Sequence, residues 1–166
     1  MASLNRGSAV NLFWAVVIST FIAFVLMLVA LPQTIFYFRP DWVALVVIFW
    51  ALYQPERFGP VSGFIIGTLL EVLLVKNFGV FGFGLACLAF IVNSTHRQLK
   101  VLSPWQQVII IGLFIGLYKV ITGWFTGFVS DFQISSHYWY SLIGDVLFWP
   151  FVTILLNELR RFFRLS

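Results

Sequence analysis

The stretch Leu12–Leu31, LFWAVVISTFIAFVLMLVAL, is twenty residues long and carries no formal charge; it lies in a charge-free run of 32 residues between Arg6 and Arg39. At 1.5 Å per residue, about 20 apolar residues reach across the ~30 Å hydrocarbon core of a bilayer. The segment therefore predicts a membrane-spanning helix. It is too long for the apolar region of a signal peptide and lacks a convincing small-x-small cleavage site, so it reads as retained. Outward from this stretch the composition says the same. Of 166 residues, 61% are hydrophobic and 10% charged, against roughly 45–50% and 25% in a soluble domain. Six such helices would use ~120 residues and leave no room for a soluble domain. The net charge of +4 does not point to nucleic acid, because the ten cations are scattered between apolar runs rather than clustered on a solvated face. The single cysteine, Cys87, excludes an internal disulfide and a Cys-rich metal site.

Spans are expected at roughly 9–31, 40–53, 58–75, 78–95, 104–129 and 137–159, in a single polytopic domain covering 1–166. Pro32 ends the first. Phe38-Arg39-Pro40-Asp41-Trp42 reads as a helix start, with Pro40 at the first helical position and Asp41 at the positive end of the helix dipole. The second span, of 14 residues, reaches only ~21 Å. Gln54–Arg57 is a polar turn, Lys76-Asn77 an exit, His96–Ser103 a basic loop, Ser130–Ser136 a polar loop and Trp149-Pro150 a kink. Trp42, Trp105 and Trp139 lie near span ends, where aromatic belts form. With six spans, Arg6, Arg57, Arg97, Lys100, Arg160, Arg161 and Arg164 share one side, and only Arg39 and Lys76 lie on the other. Seven against two obeys the positive-inside rule. A five-span arrangement, in which the short second segment does not cross, keeps that bias by exchanging Arg6 for Arg39. Charge thus places the 96–103 loop and the C-terminus in the cytoplasm. Six spans are favoured, because mismatch costs only fractions of a kcal/mol per Å and Arg39 can snorkel.

Candidate functional residues are the few polar ones inside apolar runs. Gly59, Gly63 and Gly67 recur every four residues, and the next step of that ridge is Glu71, which places a carboxylate on a close-packing face. Gly112, Gly116, Lys119, Gly123 and Gly127 form a similar ridge, and the last span carries Asp145 beside Gly144. Counted from the expected cytoplasmic ends, Glu71, Lys119 and Asp145 lie 13, 15 and 14 residues deep, about 20–22 Å. One buried cluster is expected, with Lys119 bridging both acids, since an uncompensated charge at depth costs about 2.5–3.5 kcal/mol. An ion pair that fixes helix register is the plain reading; a polar floor for a ligand, or a proton relay, is the functional one. Ala15, Ser19 and Ala23 form a small-residue ridge that either packs inside the bundle or receives a partner helix. With Gly63 and Gly67 they are the candidate partner-binding residues.

No catalytic constellation emerges. The nearest match to a rhomboid-type nucleophile is Pro60-Val61-Ser62-Gly63, but Ser62 is expected near the inner face and His137 near the outer one, beyond hydrogen-bond reach. There is no His-Glu-x-x-His motif, and Phe78–Gly84 has neither the dinucleotide fingerprint nor a P-loop lysine; it reads as a tight turn followed by close packing. The tail 158–164 is most simply a stop signal at an anionic leaflet, with cytoplasmic partner contact as the alternative. Neither a cofactor nor a metal is expected.

Taken in order, Phe38-Arg39-Pro40-Asp41-Trp42, Gly63-Phe64-Ile65-Ile66-Gly67 leading to Glu71, Trp105-Gln106-Gln107 and Trp149-Pro150 resemble the bacterial MreD family of rod shape-determining proteins, across essentially the whole chain. Arg39, Pro40, Asp41, Trp42, Trp149 and Pro150 make up the structural motif. The resemblance implies a non-enzymatic, multi-pass component of the inner membrane that binds MreC. It would work with MreB, RodZ, the glycosyltransferase RodA and a penicillin-binding transpeptidase in lateral peptidoglycan synthesis. The family is similar in architecture to the substrate-binding components of energy-coupling-factor transporters. That implies an all-α integral membrane protein, a compact bundle of about six transmembrane helices, and a precedent for docking on the small residues of the first helix. Two features depart from the family pattern: Glu71 stands where the acid is usually Asp, and Lys119 and Asp145 match no family motif. The alternative function is a small-molecule transporter component whose ligand sits between the helices.

Overall fold

A computed structural model describes residues 2–28, 39–74, 79–129 and 137–163. Among the described residues there are six α-helices: α1 (Ala2–Leu28), α2 (Trp42–Tyr53), α3 (Pro60–Leu74), α4 (Val80–Val101), α5 (Pro104–Val129) and α6 (His137–Phe162). No strand occurs among the described residues. Three stretches are long and apolar enough to cross a bilayer, Val10–Leu28 in α1, Pro104–Gly127 in α5 and Tyr140–Phe162 in α6, whereas α2 and α3 are shorter apolar helices. The protein is an all-helical membrane protein, as the opening stretch predicted.

Several boundaries differ from the sequence reading, each for a local reason. α4 does not stop before His96 but continues to Val101. The supposed basic loop contains the good helix formers Arg97, Gln98, Leu99 and Lys100, and Leu99 is buried, so its charges decorate a helix whose continuation is barred only at Pro104. α2 begins at Trp42 rather than Pro40, because Asp41 is the N-cap and its side chain accepts the Ala44 N–H at 3.2 Å. α1 starts at Ala2, seven residues before the apolar run expected from about 9, since scattered polar residues do not break a helix. α6 passes through Pro150 to Phe162. The expected boundaries at Pro32, Lys76-Asn77 and Ser130–Ser136, together with Arg164, lie outside the described residues.

α2 explains the architecture. Every residue from Val43 to Leu52 is buried, because a helix that is apolar all round must be covered all round. α1, α4 and α6 supply that cover, while α3 packs on α4, α4 on α5 and α5 on α6. The short helix is therefore the core of the bundle, about 18 Å long for 12 residues, and shielded by protein. Trp50 Nε1 donates to Ser19 Oγ at 2.9 Å, locking α2 to α1.

Hydrogen bonds between distant residues fix the ends of the bundle. Asn11 Nδ2 donates to the Phe163 carbonyl at 3.2 Å, bringing the N-terminal half of α1 to the C-terminus of α6. Lys100 and Arg160 stand 6.0 and 5.0 Å from the Tyr53 ring centroid, so α2, α4 and α6 finish at that end. Asn93 Nδ2 donates to the Phe58 carbonyl at 3.1 Å and adds the start of α3. Arg57, Arg97, Lys100, Arg160 and Arg161 thus collect at one end of the molecule.

Candidate functional site

The polar groups inside the bundle fall into two centres. The first joins α1, α2, α5 and α6. Lys119 Nζ lies 3.1 Å from Asp145 Oδ2, with the two side chains 5% and 0% exposed, and also donates to Ser141 Oγ at 2.8 Å. The second oxygen of Asp145 accepts the backbone N–H of Asp41 at 2.5 Å. That N–H is one of the unpaired donors that precede any helix, so Asp145 neutralises the lysine and secures the start of α2 together. Asp41 holds the same terminus with its own carboxylate. Arg39 Nη2 donates to the Leu26 carbonyl at 3.1 Å, closing an unpaired acceptor in the last turn of α1. Trp42 meets Phe148 edge to face, centroids 5.3 Å apart, and the neighbouring Trp149 is buried. Arg39, Asp41 and Trp42 therefore form one junction with the Asp145–Trp149 segment. Sequence reasoning named both halves without joining them, and no local signal in the sequence links Asp145 to the Asp41 N–H.

The second centre is Glu71, fully buried. Its Oε2 accepts the Gly79 N–H at 2.8 Å, and its Oε1 accepts those of Phe81 and Gly82, the latter at 3.0 Å. A carboxylate receiving three N–H groups at the positive end of α4 is compensated by backbone. Gly79, at φ +95°, provides the left-handed residue that aims those donors back at α3. The expected cluster is therefore corrected: of the two acids Lys119 pairs with Asp145, while Glu71 caps α4. Depth along the membrane normal matched for all three, but depth does not say which neighbour a side chain faces. The ridge did. Gly63 and Gly67, on the same stripe as Glu71, face α4 so closely that a Cβ on either would stand 2.6 Å from backbone, Leu85 O in one case and Phe81 O and Gly82 Cα in the other.

The expected partner-binding residues also sit inside. Ala15, Ser19 and Ala23 are buried, with Ser19 bonded to Trp50, so the ridge packs against α2, while Ser19 and Ala23 also reach the floor of a surface groove. Gly63 and Gly67 are occupied by α4 and not open to a partner. The α5 ridge is likewise internal at Gly112, where a Cβ would meet Val146 at 2.8 Å. Two mainly apolar grooves lie on the outside. One groove of about 1060 Å³ lies between α1 and α3, and another of about 650 Å³ between α1 and α6 with Ser19 and Ala23 in its lining. Among the described residues, no group of three or more His, Cys, Asp or Glu side chains is placed to hold a metal ion.

This fold and these two centres define a polytopic, all-helical membrane protein whose buried polar side chains tie its own helices together. The chain belongs to the MreD family: the profile described as rod shape-determining protein MreD matches residues 8–159. A relative from Haemophilus influenzae, named Rod shape-determining protein MreD, is 28% identical over 154 residues, covering 89% of this chain and 92% of the relative. No solved structure matches.

Proposed function

We propose that the chain is a non-enzymatic scaffold of the bacterial inner membrane, a single polytopic domain that binds the transmembrane helix of MreC. In this reading it serves lateral peptidoglycan synthesis beside MreB, RodZ, RodA and a penicillin-binding transpeptidase. The observation that carries the reading is the α1–α6 groove. Ile22 and Leu26 of α1 and Phe151, Leu155 and Phe162 of α6 line it and remain exposed, above a floor of Ser19 and Ala23. Lipid tails are as apolar as leucine, so association within a bilayer depends on fit and close approach over small residues; a ridged groove with a small-residue floor offers both. The five cations gathered at one end support a cytoplasmic assignment for that end and hence for both termini, with six crossings.

Co-purification tests this directly. Wild-type protein should retain MreC in equimolar amount, Leu155→Trp should lose most of it, and Leu113→Trp, on the exposed face of α5, should keep it. Undiminished MreC with Leu155→Trp, in a variant that elutes as a single species, would remove the groove from the mechanism. Depletion of the protein should round rod-shaped cells.

A further inference from the structure

The larger groove, between α1 and α3, plays no part in that docking reading. Its walls include Val16, Phe21 and Phe24 of α1 with Ile65 and Leu69 of α3, and among the described residues Arg57 is the one charged group in its lining. Arg57 belongs to the end where Arg97, Lys100, Arg160 and Arg161 gather. From Leu12 to Phe24 the groove follows α1 over thirteen residues, about 18 Å. That is little more than half of the ~30 Å hydrocarbon thickness, the depth of one leaflet. One acyl chain hanging from a headgroup at the level of Arg57 fits that depth.

We propose that the α1–α3 groove is a binding site for an anionic phospholipid of the leaflet at the basic end, with its phosphate at Arg57 and one acyl chain laid between α1 and α3. The two parts contribute differently. A tail leaving the bilayer for this groove exchanges one apolar surrounding for another, so the wall selects by shape. The guanidinium supplies the preference for negative charge: a basic side chain at such a surface contributes about 1 kcal/mol, or roughly fivefold in affinity.

The test uses the full chain in mild detergent, incubated with equimolar phosphatidylglycerol and phosphatidylcholine of identical chains and examined by native mass spectrometry. Wild type should carry one phospholipid, with phosphatidylglycerol favoured about fivefold. Arg57→Gln should bring that ratio to near one while the adduct persists. Ile65→Trp, at a position 53% exposed on the groove wall, should abolish both adducts, and Leu113→Trp should behave as wild type. Equal adducts of the two lipids on wild type, or an unchanged adduct on Ile65→Trp, overturns the proposal. So does an Ile65→Trp variant that keeps its lipid but no longer captures MreC, which would give the groove to a helix instead.

Discussion

Replacing Lys119 with methionine keeps a long apolar stem in place and removes the ammonium 3.1 Å from Asp145. Asp145 then remains buried at 0% exposure with one backbone N–H as its acknowledged partner. Breaking a buried pair by removing one member costs about 3–5 kcal/mol, and placing a lone charge at bilayer depth about 2.5–3.5; both ranges contain a value of about 3 kcal/mol. At roughly 2–4 °C per kcal/mol for a chain of this size, the melting midpoint should fall by about 6–12 °C. Adding Asp145→Asn to the same chain removes the stranded charge, and its amide oxygen can still accept the Asp41 N–H. The double variant should therefore recover more than half of the loss. Intrinsic fluorescence of detergent-solubilised protein, followed on heating for wild type, both single variants and the double, supplies the cycle. Additive losses, or a Lys119→Met midpoint within 2 °C of wild type, would show that the pair does not hold α5 to α6.

Three further outcomes follow from the packing. Gly67→Ala places its methyl against the backbone of Phe81 and Gly82 and should cost about 1–3 kcal/mol as overpacking, whereas Gly116→Ala, whose nearest neighbour would be Leu142 at 3.9 Å, should leave the melting point unchanged or slightly raised. Glu71→Gln removes the charge that three N–H groups share and should cost about 1.5–3 kcal/mol, read by the same thermal assay and by faster amide exchange at Gly79, Phe81 and Gly82. Trp50→Phe and Ser19→Ala each delete one end of a buried hydrogen bond and should each cost about 1–2 kcal/mol, while the double variant is no worse than the poorer single one.

Much of this fold was legible because bilayer thickness imposes a length on apolar runs. α5 appears with its expected bounds, 104–129. The stretch 96–103 reads as a basic loop, yet its first six residues are helical, because backbone geometry rather than charge breaks helices and the first residue to impose that is Pro104. The site was legible in its members and wrong in its grouping. Glu71, Lys119 and Asp145 are all buried, as expected for charges in apolar runs. A helix position has a height and an azimuth, however, and only the height was used to group them. The azimuth of Glu71 was already written in Gly63 and Gly67. For Lys119 the corresponding clue was Gly112, on the same ridge and packed on α6. The link between Asp145 and Asp41 had no comparable signal, since nothing in local sequence states which distant backbone a carboxylate will meet.

The bond from the Asp41 N–H to Asp145 spans 104 positions of sequence, and this orders the birth of the protein. The short core helix leaves the ribosome early, too short to cross a bilayer by itself, and α1 can cover just one of its sides through Ser19 and Trp50. Its remaining sides stay open until α4 and then α6 are inserted, and its first turn finds its acceptor only when the last helix has entered the membrane. A chain truncated after α5 would leave that apolar helix without its α6 cover and its Asp41 N–H without Asp145 as acceptor. Closure of the core thus waits on the insertion of α6.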